Sequence, residues 1–178
     1  MIFTPLAIAG AYQIDIEPRA DERGMFARSW CAAEFAAHQL PSGFVQCNVS
    51  FNPHCGTLRG LHYQDAPKPE AKLVRCTRGA AFDVVVDLRR GSPSFRRWVG
   101  IELTADNRRA VFVPEGCAHG FQTIAAETEL LYQMSEFYVP ELARGVRWND
   151  PAFGVAWPLP SPILSDRDAR FADFMPGR

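Results

Sequence analysis

Arg59 and His62 stand in the run Leu58-Arg59-Gly60-Leu61-His62-Tyr63-Gln64, and Lys72-Leu73-Val74-Arg75 follows a few residues later. Both stretches read as strand, so an imidazole, an ammonium and two guanidinium groups lie on neighbouring strands. Imidazole exchanges protons near neutral pH, and Arg and Lys hold phosphate. Together they suit a site that grips an anionic ligand while it moves a proton. A charged, solvated strand edge uses the same residue types, so the surrounding elements have to decide between the two.

Those elements are short and alternating. Phe82, Val84, Val86 and Leu88 alternate with Asp83, Val85 and Asp87, and Arg90-Gly91-Ser92-Pro93 breaks the run. Val99, Ile101 and Leu103 continue the pattern, and Ala105-Asp106-Asn107 turns the chain into Ala110-Val111-Phe112-Val113. Leu130, Tyr132 and Met134 share one face of a later strand. Strands at this spacing predict an all-β sandwich or barrel. Two places read as helix. Cys31 to Leu40 carries Ala32, Phe35 and Ala36 at helical spacing, and Ser165-Asp166-Arg167-Asp168 has the form of a capping box. The ends of the chain are less periodic and are expected to wrap the sandwich or reach a partner subunit.

Composition narrows the function classes. The 178 residues suffice for one sizeable core, and a single domain over 1–178 is expected. The 19 Lys and Arg against 20 Asp and Glu give a net charge of -1, which argues against nucleic acid and an anionic membrane surface as partners. The start, Met1-Ile2-Phe3-Thr4-Pro5-Leu6, lacks the basic and apolar regions of a secretory signal. Five scattered cysteines without a C-x-x-C pair fit reduced thiols, and a cytoplasmic location is expected.

A second motif, Pro114-Glu115-Gly116-Cys117-Ala118-His119-Gly120-Phe121, sets a tight turn and delivers His119 into the next strand. Metal-binding cupins place a histidine ligand in this way. They also bring a histidine pair and a glutamate from an earlier strand, where this chain has His62-Tyr63-Gln64 alone. The ligand set is short, and no metal is expected.

Taken together, the motifs resemble the dTDP-4-dehydrorhamnose 3,5-epimerase family, metal-free cupins of deoxysugar biosynthesis. The resemblance runs through Asp21-Glu22-Arg23-Gly24, Val45-Gln46-Cys47-Asn48, the Arg59 and Lys72 segments, and Phe82 to Arg89. It continues in Pro114-Glu115-Gly116, Ala118-His119-Gly120-Phe121, Trp148-Asn149-Asp150-Pro151 and Leu164-Ser165. It implies a cupin jelly roll with a few short helices, a homodimer, no dissociable cofactor, and epimerisation of a nucleotide-linked 4-keto-6-deoxyhexose. A 4-keto group makes the C3 and C5 hydrogens acidic through an enolate. Inversion then needs a base on one face of the sugar, a proton donor on the other, and a cation or donors at the enolate oxygen.

By this resemblance His62 is the base, Asp168 orients it, Tyr132 is the acid and Lys72 holds the enolate oxygen. His119 is implied to hydrogen-bond the substrate. Arg23 and Arg59 match contacts to the diphosphate and sugar, Gln46 and Asn48 match polar contacts, and Tyr138 matches an aromatic that stacks on the nucleobase. Read without the resemblance, Asp168 would be a helix cap, Tyr132 a structural core tyrosine and Lys72 an exposed strand lysine.

Two positions depart from the family pattern. Arg28 and Arg144 stand where a glutamate is usual, which reverses the charge. Both are carried as substrate-binding candidates that could suit a different nucleobase or sugar, or could pair with acids such as Glu136 or Glu141. Thymidine diphosphate is the expected carrier. The alternatives are a cytidine or guanosine diphosphate sugar, inversion at one centre only, and a non-catalytic sugar-nucleotide-binding cupin. One geometric conflict remains: in a regular strand Arg59 and His62 face opposite sides, unless Gly60 marks a bulge.

Overall fold

The computed structural model describes residues 1–175. Among them the strands are β1 (Ile2–Pro5), β2 (Tyr12–Asp15), β3 (Arg19–Asp21), β4 (Gly24–Phe26), β5 (Gln46–Asn52), β6 (Leu58–Gln64) and β7 (Lys72–Arg78). There follow β8 (Ala80–Asp87), β9 (Trp98–Thr104), β10 (Ala110–Val113), β11 (Cys117–Thr123), β12 (Thr128–Met134) and β13 (Ala143–Gly145). They form a six-stranded sheet in the order β1-β2-β10-β7-β12-β5 and a five-stranded sheet in the order β13-β6-β11-β8-β9. The pairings are antiparallel, and β3 and β4 make a separate hairpin. This is the all-β sandwich that the alternating pattern predicts, in the jelly-roll form that the resemblance implies.

Apolar side chains fill three layers. Between the sheets lie Val74, Val85, Ile101, Val111, Phe121 and Leu130. On the outer face of the six-stranded sheet, Phe35 packs with Ile14, Leu73 and Phe112. On the outer face of the five-stranded sheet, Leu61, Val84, Val86 and Ala118 are covered by Val146, Phe153, Trp157 and Phe174 of the C-terminal region. Thus both ends of the chain wrap the sandwich. Burial on both faces also explains β8: its Phe82, Val84 and Val86 face outward under that cover, and Val85 points into the sandwich. Asp83, on the same side as Val85, is 1% exposed.

Helix α1 (Ala32–Ala37) is shorter than the stretch from Cys31 to Leu40. Gln39 turns to φ 59° and Pro41 follows, so the helix cannot continue. Its only buried residue, Phe35, anchors it to the sheet. Helix α2 (Asp166–Ala169) is a single turn whose N-cap, Ser165, accepts a hydrogen bond from the Asp168 backbone N–H. No helix among the described residues is long and apolar enough to cross a membrane.

Candidate active site

His62 sits on β6, in the five-stranded sheet, with its imidazole half-buried. Its Nε2 lies 2.7 Å from Asp168 Oδ1, and Asp168 Oδ2 accepts the Gly60 backbone N–H at 3.3 Å. Asp168 is not itself the helix cap, because Ser165 holds that position. Its backbone N–H donates to the N-cap Ser165 Oγ at 3.1 Å, while its carboxylate turns away to the imidazole. Burial works to raise the Asp168 pKa, but His62, the Gly60 N–H and Arg167 outweigh it and hold the carboxyl below the usual range. Phe171 lies edge-on to the imidazole at 5.8 Å, and its ring fills the space that a Cβ on Gly145 would occupy. The base candidate is thus fixed on two sides by the C-terminal segment.

Lys72 and Tyr132 project from β7 and β12 of the other sheet. Lys72 is 6% exposed, so it is not the solvated strand lysine that alternation alone allows. Its Nζ lies 3.0 Å from Glu70 Oε1 and 3.4 Å from the His62 backbone oxygen. Tyr132 packs between His119 and Phe121. Burial, reinforced by the Asp83 carboxylate, raises its phenol pKa far above the ordinary value despite the opposing influence of Ser50 and Arg59. The phenol therefore holds its proton, as a donor must.

One cavity of about 270 Å³ is lined by His62, Tyr132, Lys72, His119, Arg59, Asn48 and Ser50, among others. His62 and His119 come from one sheet, Tyr132 and Lys72 from the other. His119 is 3% exposed and spends Nε2 on Asp83 Oδ2 at 2.8 Å. Burial pushes the Asp83 pKa up, with His119 and Lys72 pulling the other way, and Asp83 Oδ1 has no hydrogen-bond partner.

Arg59 reaches the same cavity through a bulge. His62 faces His119 and Arg59 faces Phe121, so three steps along β6 match two along β11. The extra residue brings side chains at i and i+3 to one side of the sheet. Gly60 makes this possible: its φ is 139°, and a Cβ there would lie 2.7 Å from the Gly120 Cα. Arg59 Nε then donates to Asn52 Oδ1 at 2.7 Å.

A second cavity of about 330 Å³ adjoins the first and shares His62, Lys72, Asn48 and Met134 with it. Gln46, Tyr138, Arg144 and Arg167 also line it. Gln46 Nε2 donates to Asn48 Oδ1 at 3.2 Å, and its Oε1 accepts the Tyr138 N–H at 3.2 Å, so these three form one rim. Tyr138 is 52% exposed and presents an open ring. Arg144 donates to the backbone oxygens of Glu141 and Ala143, not to a carboxylate.

Arg23 and Arg28 stand apart. Neither lines the two cavities around His62. Arg23 lies in the turn between β3 and β4, 87% exposed in its side chain and bonded to Asp21 at 2.6 Å. Arg28 pairs with Glu34 at 2.7 Å rather than with Glu136 or Glu141. A ligand held between Tyr138, Arg144 and Arg28 of the same chain is not what this arrangement offers. Ser50, Glu70 and Arg167 line these cavities, and Asn52, Asp83 and Phe171 touch Arg59, His119 and His62, though the sequence pattern does not single them out. Asp83 had a signal, as a charged residue in the middle of a strand apolar on both sides.

Comparison with known proteins gives a consistent result. The family model described as dTDP-4-dehydrorhamnose 3,5-epimerase matches residues 5–175. The chain is 46% identical over 164 residues to dTDP-4-dehydrorhamnose 3,5-epimerase of Pseudomonas aeruginosa, covering 88% of this chain and 90% of the relative. It is 44% identical over 169 residues to dTDP-4-dehydrorhamnose 3-epimerase of Streptomyces niveus, covering 94% and 81%. The crystal structure of dTDP-4-dehydrorhamnose 3,5-epimerase from Bacillus anthracis, with TDP and PPi bound, superposes with a TM-score of 0.94 at 39% identity, covering 97% of this chain and 99% of that one.

Proposed function

The chain belongs to the dTDP-4-dehydrorhamnose 3,5-epimerase family, and from that premise we propose how its residues carry out epimerisation of a nucleotide-linked 4-keto-6-deoxyhexose, with dTDP-4-keto-6-deoxyglucose as substrate. His62 removes a proton from the carbon beside the ketone, and Asp168 stabilises the imidazolium that forms. The electron pair moves into the ketone, and the Lys72 ammonium meets the charge that develops on its oxygen. Tyr132 delivers a proton from the opposite face, which inverts the centre. The observation that carries this reading is the placement of His62 on one sheet and of Tyr132 and Lys72 on the other, all lining one cavity.

The adjoining cavity suits the nucleoside diphosphate. Arg144 and Arg167 offer cationic forks for phosphate, Tyr138 an open ring for stacking, and Gln46 and Asn48 polar contacts. His119, with its Nε2 on Asp83, borders the sugar. Arg59 and Asn48 close the first cavity.

A homodimer completes the proposal. The edge strand β5 leaves Val49 61% and Phe51 46% exposed, while the β3–β4 hairpin carries Phe26 at 78% and Met25 at 43%. An uncovered apolar edge and a projecting apolar hairpin are complementary surfaces on one chain, as a two-fold interface requires. Such pairing would let Arg23 and Arg28 serve the partner's site.

The test is to incubate the protein with dTDP-4-keto-6-deoxyglucose in deuterated water. Deuterium entering C3 and C5 is the expected result, and its absence from both rejects the substrate. Similarity to the Streptomyces niveus 3-epimerase favours one second reading, inversion at C3 alone. Label at C3 without C5 would establish it. Stabilisation by dTDP above that by CDP, GDP or UDP in a thermal melt tests the nucleobase.

A further inference from the structure

Proton transfer between two opposed groups leaves a problem of resetting. Each inversion converts neutral His62 to imidazolium and the Tyr132 phenol to phenolate. A second inversion on the same bound sugar requires one proton to return to Tyr132. The phenol is held among His119, Phe121 and the inter-sheet core, where phenolate is strongly disfavoured, so a slow return would stall the reaction after one centre.

The group placed to return it is on β5. Tyr132 pairs with Asn48 and Leu130 with Ser50 across the β12–β5 ladder. Ser50 is therefore the diagonal neighbour of Tyr132 on the same face, within reach of a tyrosine side chain. Its hydroxyl borders the cavity beside the phenol. Asn52, 0% exposed, fixes it: Nδ2 donates to the Ser50 backbone oxygen at 3.2 Å, to Ser50 Oγ at 3.4 Å and to the Thr128 oxygen at 3.2 Å. The Asn52 Oδ1 meanwhile accepts from Arg59 Nε. With an acceptor site of Ser50 Oγ engaged by Asn52, the serine O–H is free to turn toward Tyr132. A hydroxyl can donate one proton while it accepts another.

We propose that Ser50, held by Asn52, is the positioning residue that returns a proton to Tyr132 between the two inversions. The proposal rests on the epimerase reading above. The Tyr132 phenolate oxygen takes the Ser50 Oγ proton as Ser50 Oγ takes one from cavity water. The resulting hydroxide is neutralised by the proton that the His62 imidazolium releases. The net change is one proton moved from His62 to Tyr132, and nothing is oxidised or consumed.

The experiment follows deuterium entry at C3 and C5 of dTDP-4-keto-6-deoxyglucose in wild type, S50A and S50T, each checked by thermal melt. Wild type labels both centres. In S50A the ratio of second-centre to first-centre labelling falls by about a hundredfold, the lower edge of what a positioned proton donor contributes, whatever the loss at the first centre. Singly inverted sugar accumulates, and S50T, which keeps the hydroxyl, restores the second centre. S50A labelling both centres in the wild-type ratio overturns the relay while leaving the epimerase reading intact. Equal loss at both centres in S50A and S50T also overturns it, because the hydroxyl then makes no difference. Label at one centre only in wild type also overturns the relay, since no second inversion then takes place, and no label in wild type removes the reading on which the relay stands.

Discussion

Replacing Asp168 by asparagine removes the charge beside His62 and leaves a single acceptor oxygen where the carboxylate offers one to His62 and one to the Gly60 N–H. The asparagine side chain is nearly isosteric, and the backbone N–H that donates to Ser165 Oγ is untouched. The change deletes the charge 2.7 Å from His62 Nε2, in a carboxylate only 5% exposed. A hydrogen bond to a charged group contributes about 1.5–3 kcal/mol. The imidazolium forms only as the proton is abstracted, so most of that loss falls on the transition state. At 1.36 kcal/mol per decade, kcat should fall by roughly 10- to 150-fold. KM should change much less, because the neutral ring in the ground state loses little. Loss of about 1–2 kcal/mol of folding stability lowers Tm by roughly 2–8 °C in a chain of this size. Steady-state kinetics on the keto sugar, with a melt beside them, give the answer. A D168N protein within twofold of wild-type kcat would show that the carboxylate does not assist the base, and the reasoning would fail.

Other expectations follow from the same geometry. K72M leaves the Glu70 carboxylate, 7% exposed in its side chain, without its cation, at a cost of about 3–5 kcal/mol. The double variant E70Q/K72M should recover most of the lost urea midpoint and none of the lost turnover. G60A places a Cβ against the Gly120 backbone at a φ of 139°, so it should lower stability by about 2 kcal/mol or more and weaken turnover by displacing Arg59. Asp87 tests pH linkage. Burial works to raise its pKa, but Arg89, Ser92 and Ser94 hold it at about 2, below the ordinary 3.8. Its contribution, roughly 2 kcal/mol by the size of the shift, is full above pH 4 and is lost as pH falls toward 2. D87N should thus lower the melting temperature at pH 7 and flatten its fall between pH 4 and 2.

Much of the fold is legible in the chain because period-two alternation and turn residues mark the strands. Ala110 to Val113 and Thr128 to Met134 lie where their patterns put them. The direction in which β8 faces was less legible. Its Asp83 is polar at a buried position, and only the covering C-terminal segment makes the other face apolar as well. The residues alone point to His62 and His119 and put Lys72 on a neighbouring strand, whereas the roles of Lys72, Tyr132 and Asp168 come only from the resemblance; His62, Lys72, Tyr132 and His119 share a cavity, and Asp168 reaches His62 from over a hundred residues away. The conflict between Arg59 and His62 resolves through a bulge that Gly60 only hinted at. Arg23 separates from the cavity because it rides on a hairpin outside both sheets, and Arg28 because it lies in the segment after that hairpin and pairs with Glu34; no local pattern records either. Ser50 and Asn52 were silent for another reason. Small polar residues on an edge strand are common, and their meaning comes from the β12 partner across the ladder.

The most direct test of opposed proton transfer separates bond breaking from inversion. Substrate deuterated at C3 and C5 is given to wild type, H62A and Y132F in ordinary water, and loss of label is followed beside the configuration of each centre. Loss of label should vanish in H62A. In Y132F it should continue while inversion stops, because the base still works and the donor on the far face is gone. Undiminished loss of label in H62A, or normal inversion in Y132F, would contradict the assignment of the two sides.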